Sequence, residues 1–207
     1  MKRFPALLPV FLLLACNLYS QNTEYEYLLN KNQFKKATKG VKLYCGLTHQ
    51  HQSFFNKPFS LTGIEAGIIS GRNILLGVYG SSFLSNLEIE NSVSKTYFSS
   101  MQGGLAIGVL HHGNKWLHEG VLLNAGYFSI TGSSSNFQLF AIQNSTAIIH
   151  GLVITPMAFA KINVLRWMKF RTGLGYSFYN FKDQSSVSVS DLQNVSINFG
   201  FLFGKYL

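Results

Sequence analysis

Side chains able to do chemistry are sparse in this chain of 207 residues. His51 and Ser53 stand two apart, and Glu88 and Glu90 follow in a later polar stretch. A serine near a histidine with an acid in reach supplies the parts of an acyl-transfer nucleophile, the chemistry of a lipid hydrolase or acyltransferase. No Gly-x-Ser-x-Gly elbow accompanies them, so the reading is not an enzyme, and no catalytic residue is assigned. His49 and His51 would share one face of an extended strand, a spacing that suits a metal, but two ligands are not a site. His111, His112, His118 and His150 are scattered elsewhere. No metal and no cofactor is expected. A third set is ionic: Lys42, Glu65, Lys169 and Arg171. What it does depends on the elements that carry it.

Each of those four residues lies in a stretch that alternates with period 2, the mark of a strand. From 169 to 179, Phe170, Thr172, Leu174, Tyr176 and Phe178 face one way, against Lys169, Arg171, Gly173, Gly175 and Ser177. Near the C-terminus, Val195, Ile197, Phe199, Phe201 and Phe203 oppose Ser196, Asn198, Gly200 and Gly204. Similar alternation covers 41–48, 62–68, 74–79, 101–109 and 120–127. An eighth stretch, 147–163, is less regular, and Pro156 predicts a bulge in it.

One side of these strands is greasy and the other small or charged. In a soluble sandwich the greasy side would line a core. In a membrane barrel it would face lipid, with the charged side in a polar lumen. Composition selects the second. Charged residues make up only 12% of the chain and hydrophobic residues 47%, about half the usual charge of a soluble domain. No run after residue 20 holds eighteen consecutive apolar residues, so no transmembrane helix is expected.

Lys2 and Arg3 precede an apolar run to Ala15 and a polar end at Ser20, the pattern of a secretory signal peptide over 1–20. Leu13-Leu14-Ala15-Cys16 resembles a lipobox and offers lipidation at Cys16 as the alternative. Cys45 is the only other cysteine. The formal charge of +9 falls to +7 once Lys2 and Arg3 leave. Export argues against nucleic acid as its partner and favours an anionic lipid or lipopolysaccharide surface. Residues 21–39, with Glu24, Glu26 and four lysines, are expected to form a periplasmic lead-in to a barrel domain over 40–207.

Short connections at 70–73, 112–115 and 163–168 alternate with long polar ones at 49–60, 84–96, 131–145 and 182–194. That asymmetry predicts an all-β, antiparallel, up-and-down transmembrane barrel of about eight strands, with short periplasmic turns and long extracellular loops. Lys42, Glu65, Lys169 and Arg171 then point into the lumen with Tyr44, Tyr79, Gln102 and Asn124, and Glu65 pairs with Arg171 or Lys169. Eight strands leave room only for side chains, so the interior is expected to be plugged. Aromatic residues gather at the ends of the strands, and Trp116, Trp167, Phe178 and Tyr179 are assigned to interfacial girdles. The long loops, rich in Ser, Asn, Gln and Phe, are the expected contact with an extracellular ligand.

The stretch Val153-Ile154-Thr155-Pro156 through Asn163-Val164-Leu165-Arg166-Trp167-Met168 to Gly173-Leu174-Gly175-Tyr176 resembles a group of small outer-membrane β-barrels of Gram-negative bacteria, of OmpA/OmpX-like architecture. The Gln102-Gly103-Gly104 strand and the ending Phe199-Gly200-Phe201 to Gly204-Lys205-Tyr206 are similar too. The resemblance covers the second half of the chain and implies an eight-stranded fold and an outer-membrane location, but no activity. Members of the group often carry Glu before the proline, where this chain has Thr155. A structural or surface-interaction role is the expectation. A small-solute channel, or an accessory of an export machine, is the alternative, and a lipid-modifying enzyme a further one.

Overall fold

The computed structural model describes residues 41–54, 57–70, 73–83, 87–91, 94–111, 116–133, 146–181 and 193–204. The expected signal segment 1–20 and lead-in 21–39 lie outside them. Among the described residues nine strands occur: β1 (Lys42–Phe54), β2 (Lys57–Ser70), β3 (Ile74–Phe83), β4 (Leu87–Asn91), β5 (Ser94–His111), β6 (Leu117–Ser133), β7 (Thr146–Asn163), β8 (Met168–Asn180) and β9 (Asn194–Gly204). All pairings are antiparallel, β1 pairs with β9, and β3 and β4 both lie along β5. β3 and β4 therefore share one position, and the sheet closes as an eight-position barrel.

Closure fixes the geometry. One circuit of cross-strand partners runs from Lys42 through Ile69, Leu75, Gly108, Leu122, Met157, Gly175 and Ser196 to Gln52, ten residues further along β1. That stagger over eight positions tilts the strands by about 40°. Every residue on the circuit is buried, so the pleat keeps one face inward all the way round.

The outward face is a belt of large apolar side chains. Val41, Leu43, Ile64, Met101, Leu105, Leu174 and Val195 are among those exposed, over a range of 40–68% for the set. Inside, two apolar clusters sit at opposite ends. Phe59, Leu61, Phe83, Phe128, Ile130, Ile149, Val153 and Tyr179 pack at the end away from the described termini. Tyr44, Ile69, Leu75, Leu110, Leu122, Met157, Phe159 and Leu202 pack at the turn end. The Tyr44 ring lies over two paired glycines: a Cβ at Gly67 would sit 2.9 Å from Tyr44 Cε1, and one at Gly77 2.8 Å from its hydroxyl. A side chain at either would press on the ring and on backbone of the paired strand, the Leu76 carbonyl at Gly67 and the Ala66 carbonyl at Gly77.

Two sequence expectations need correction. The connection expected over 49–60 is mostly a hairpin, because β1 and β2 stay paired as far as Phe54 and Lys57. Likewise β4 pairs with the start of β5 inside the expected loop 84–96. Polar residues alternating with aromatics pair as readily beyond an apolar belt as within it, so hydropathy underestimates strand length. The second concerns Pro156. β7 runs through it with the same register to β8 on both sides, Ile154 with Phe178 and Met157 with Gly175. Proline's fixed φ is compatible with an extended chain, and only its N–H is lost. The register shift falls instead between Ile130 and Thr131 of β6, where β7 passes from Ile149 to Ala147.

Candidate functional site: the packed lumen and the outer rim

Strand parity decides which polar groups meet. Lys42 and Glu65 project inward from β1 and β2, and Lys169 and Arg171 from β8, and all four are buried. Glu65 pairs with Arg171 rather than Lys169. Arg171 Nη1 donates to Glu65 Oε1 at 2.8 Å and Nη2 to Oε2 at 2.6 Å. This is a bidentate, charge-assisted pair, and it spans the lumen because β1 and β9 separate its two strands. Burial costs both ions their hydration, and only such geometry offsets the loss.

Several inward polar residues escaped the sequence reading, among them Gln50, Gln52, His118, Lys161 and Asn163, the last three exposed by 2%, 0% and 0%. Lys161 sits directly opposite Arg171 on the neighbouring strand. The Phe159 ring lies 5.7 Å from Lys161 Nζ and 5.9 Å from Arg171 Cζ, within cation–π range of both. The signal was present in the parity of β7, where Lys161 shares a face with Val153, Met157 and Phe159. The sequence pattern around Pro156 does not settle that facing.

Between the two apolar clusters lies a hydrogen-bonded layer. Gln102 Nε2 donates to Gln50 Oε1 at 3.3 Å, Gln50 Nε2 to Gln52 Oε1 at 2.8 Å, and Gln52 Nε2 to the Tyr179 hydroxyl at 3.1 Å. Ser177 Oγ reaches Gln52 Oε1 at 3.4 Å and Thr155 Oγ1 at 3.0 Å. The chain of bonds links β5, β1, β8 and β7. Tyr179 is therefore a lumenal residue, not part of a girdle. It is 6% exposed and meets the edge of Phe128 at 4.8 Å between ring centroids. Its even separation from Arg171, eight residues along β8, turns it inward. Phe59, Phe83 and Phe128, which also lie near the expected outer rim, face the interior for the same reason. Trp116 and Trp167 are exposed at the turn end, and Trp167 stacks on Phe203 at 6.0 Å. Phe178 faces outward beside Tyr176, 4.7 Å away.

The histidines do not assemble. His49 Nδ1 lies 3.0 Å from Thr62 Oγ1 and His51 Nδ1 3.1 Å from Ser60 Oγ, both across the β1–β2 pair on its outward face. His51 thus meets Ser60 rather than Ser53. The side chains of Glu88 and Glu90 lie outside the described residues, and the described carboxylates, Glu65 and Glu119, sit in the lumen and beside His111 at the turn end. No group of three His, Cys, Asp or Glu that could hold a metal occurs among the described residues.

A closed antiparallel barrel of eight positions, apolar outside and packed with polar and charged side chains inside, is the architecture of small outer-membrane β-barrels. One solved structure supports this architecture, and two others stand beside it. The fold is similar to that of Neisserial surface protein A (NspA), with a TM-score of 0.56 at 9% identity, covering 79% of this chain and 96% of NspA. Ail of Yersinia pestis, solved in complex with the heparin analogue sucrose octasulfate, gives 0.47 at 11% identity over 79% of this chain and 96% of its own. OprG of Pseudomonas aeruginosa gives 0.48 at 8% identity over 80% and 93%. At these identities the likeness is one of fold. No protein-family model and no curated protein matches the sequence.

Proposed function

We propose that this chain is exported, loses residues 1–20, and resides in the outer membrane as a surface-interaction barrel without enzymatic activity. The observation that carries the reading is the inverted facing. Leucine, isoleucine, valine and phenylalanine side chains project outward around the whole barrel, while Lys42, Lys161, Lys169, Arg171 and Glu65 are buried within. Water would reverse that distribution, and lipid favours it.

The outward pairs His49–Thr62 and His51–Ser60 follow directly on the apolar positions Leu47 and Ile64. They support a lipid headgroup boundary near that level, with lipopolysaccharide as the proposed contacting surface. Residues 21–39 form the periplasmic lead-in, and the connections at the end opposite the termini carry contact with an extracellular ligand. The glutamine–tyrosine layer and the Glu65–Arg171 pair both cross the lumen, which argues against a solute path. Neither a bound nucleic acid nor a cofactor is part of the reading.

Fractionation followed by gel electrophoresis of unboiled and boiled samples tests it. A mobility shift on boiling, in the outer-membrane fraction, is the expected result. Recovery in the soluble fraction with no shift would overturn the lipid-facing assignment.

A further inference from the structure

The lumen is unevenly charged. Among the described residues it holds Lys42, Lys161, Lys169 and Arg171 against one carboxylate, Glu65. Both terminal nitrogens of Arg171 are already engaged by that carboxylate. Lys161 is wholly buried, its Nζ has no hydrogen-bond partner among the described residues, and its neighbour is the face of Phe159. The register sets Lys161 opposite Arg171, so their inward Cβ atoms are about 5 Å apart. Lys169 is the next inward residue of β8, about 7 Å along the strand. It lies within electrostatic reach of both Lys161 and Lys42.

An ammonium group removed from water needs a compensating charge or acceptor, and like charges nearby add to its cost. The Phe159 face supplies part of that compensation but no net negative charge. We infer that the turn-end lumen binds a small inorganic anion of the halide class, seated on Lys161 Nζ beside Arg171 and Lys169, as a structural counter-ion. The lumen is filled by side chains, and a compact monovalent ion makes the least demand on space. The inference rests on the barrel interior and holds whatever the outer connections bind.

Bromide is the probe. The full mature protein is crystallised from detergent with sodium bromide as the only halide salt and measured at the bromine absorption edge. The expected result is an anomalous peak in the lumen within about 3.5 Å of Lys161 Nζ, a hydrogen-bond-scale distance, absent in Lys161→Met. In parallel, the thermal midpoint of the gel-mobility shift is compared in bromide and in gluconate at equal ionic strength. A ligand bound only by the folded state raises that midpoint. The wild-type midpoint should rise in bromide, and the Lys161→Met midpoint should not respond. No lumenal peak in the wild type, peaks confined to the outer surface, or a bromide response that survives Lys161→Met would each overturn the inference. If Lys161→Met fails to fold, the wild-type peak decides alone.

Discussion

Replacing Glu65 with Gln removes the one carboxylate that faces the lumen among the described residues, while leaving the shape of the side chain nearly unchanged. Arg171 would keep its position but lose a bidentate anion held at 2.6 and 2.8 Å. Two unit charges about 4 Å apart interact by about 4 kcal/mol at the effective dielectric that suits protein sites. Breaking one side of a buried pair costs about 3–5 kcal/mol in measured cases. Here the loss is asymmetric. Without Glu65, Arg171 sits opposite the buried Lys161 with no other described carboxylate in the lumen. Without Arg171, Glu65 still has Lys161 within electrostatic reach, and its charge is partly offset. Glu65→Gln should therefore cost about 4 kcal/mol, close to a thousandfold in the folding equilibrium, and Arg171→Met about half as much or less. A Glu65→Leu, Arg171→Met double variant should recover most of the loss, since apolar replacement of both partners is often neutral. Urea unfolding of protein refolded into phospholipid vesicles, followed by tryptophan fluorescence, reads all three. A cost below about 1 kcal/mol for Glu65→Gln, or a larger cost for Arg171→Met, would refute the charge accounting.

Leu105 projects outward from β5 and is 60% exposed. Leu105→Arg should destabilise the barrel by about 2–4 kcal/mol in vesicles if it lies at the bilayer midplane, measured by the same urea titration. Cys45 is exposed on the outward face of β1, between Leu43 and Leu47. A pyrene attached there should be quenched by brominated lipid and shielded from aqueous iodide, and the reverse order would place that face in water. The boiling-dependent mobility shift and the bromide response of Lys161 complete the set.

Local alternation was enough to state the fold class. A period of 2 places side chains on alternate faces whatever the strand pairs with, and scarce charge together with greasy outer positions selected a barrel in lipid over a sandwich in water. That argument holds for β8 and β9, where aromatic and glycine or charged residues alternate without a break. It fails at strand ends. Phe178 and Tyr179 are neighbours with the same apolar character near the same rim, yet one faces out and the other closes the lumen against Gln52 and Phe128. Only parity with Arg171, eight residues back along β8, separates them.

Partners across the chain were also beyond the sequence. Composition and pattern put Glu65, Lys169 and Arg171 on inward faces, but choosing Arg171 over Lys169 required the tilt. The ten-residue stagger of closure sets which inward residues of β2 and β8 share a height. Lys161 was hidden for a related reason, because Pro156 obscured the facing of β7 until pairing with β6 and β8 fixed it. The sequence by itself determined what each strand shows to its two sides, because that depends on backbone geometry between neighbours two apart. The tertiary structure alone decided which side chains meet in the lumen, because barrel closure and shear are properties of all the strands at once.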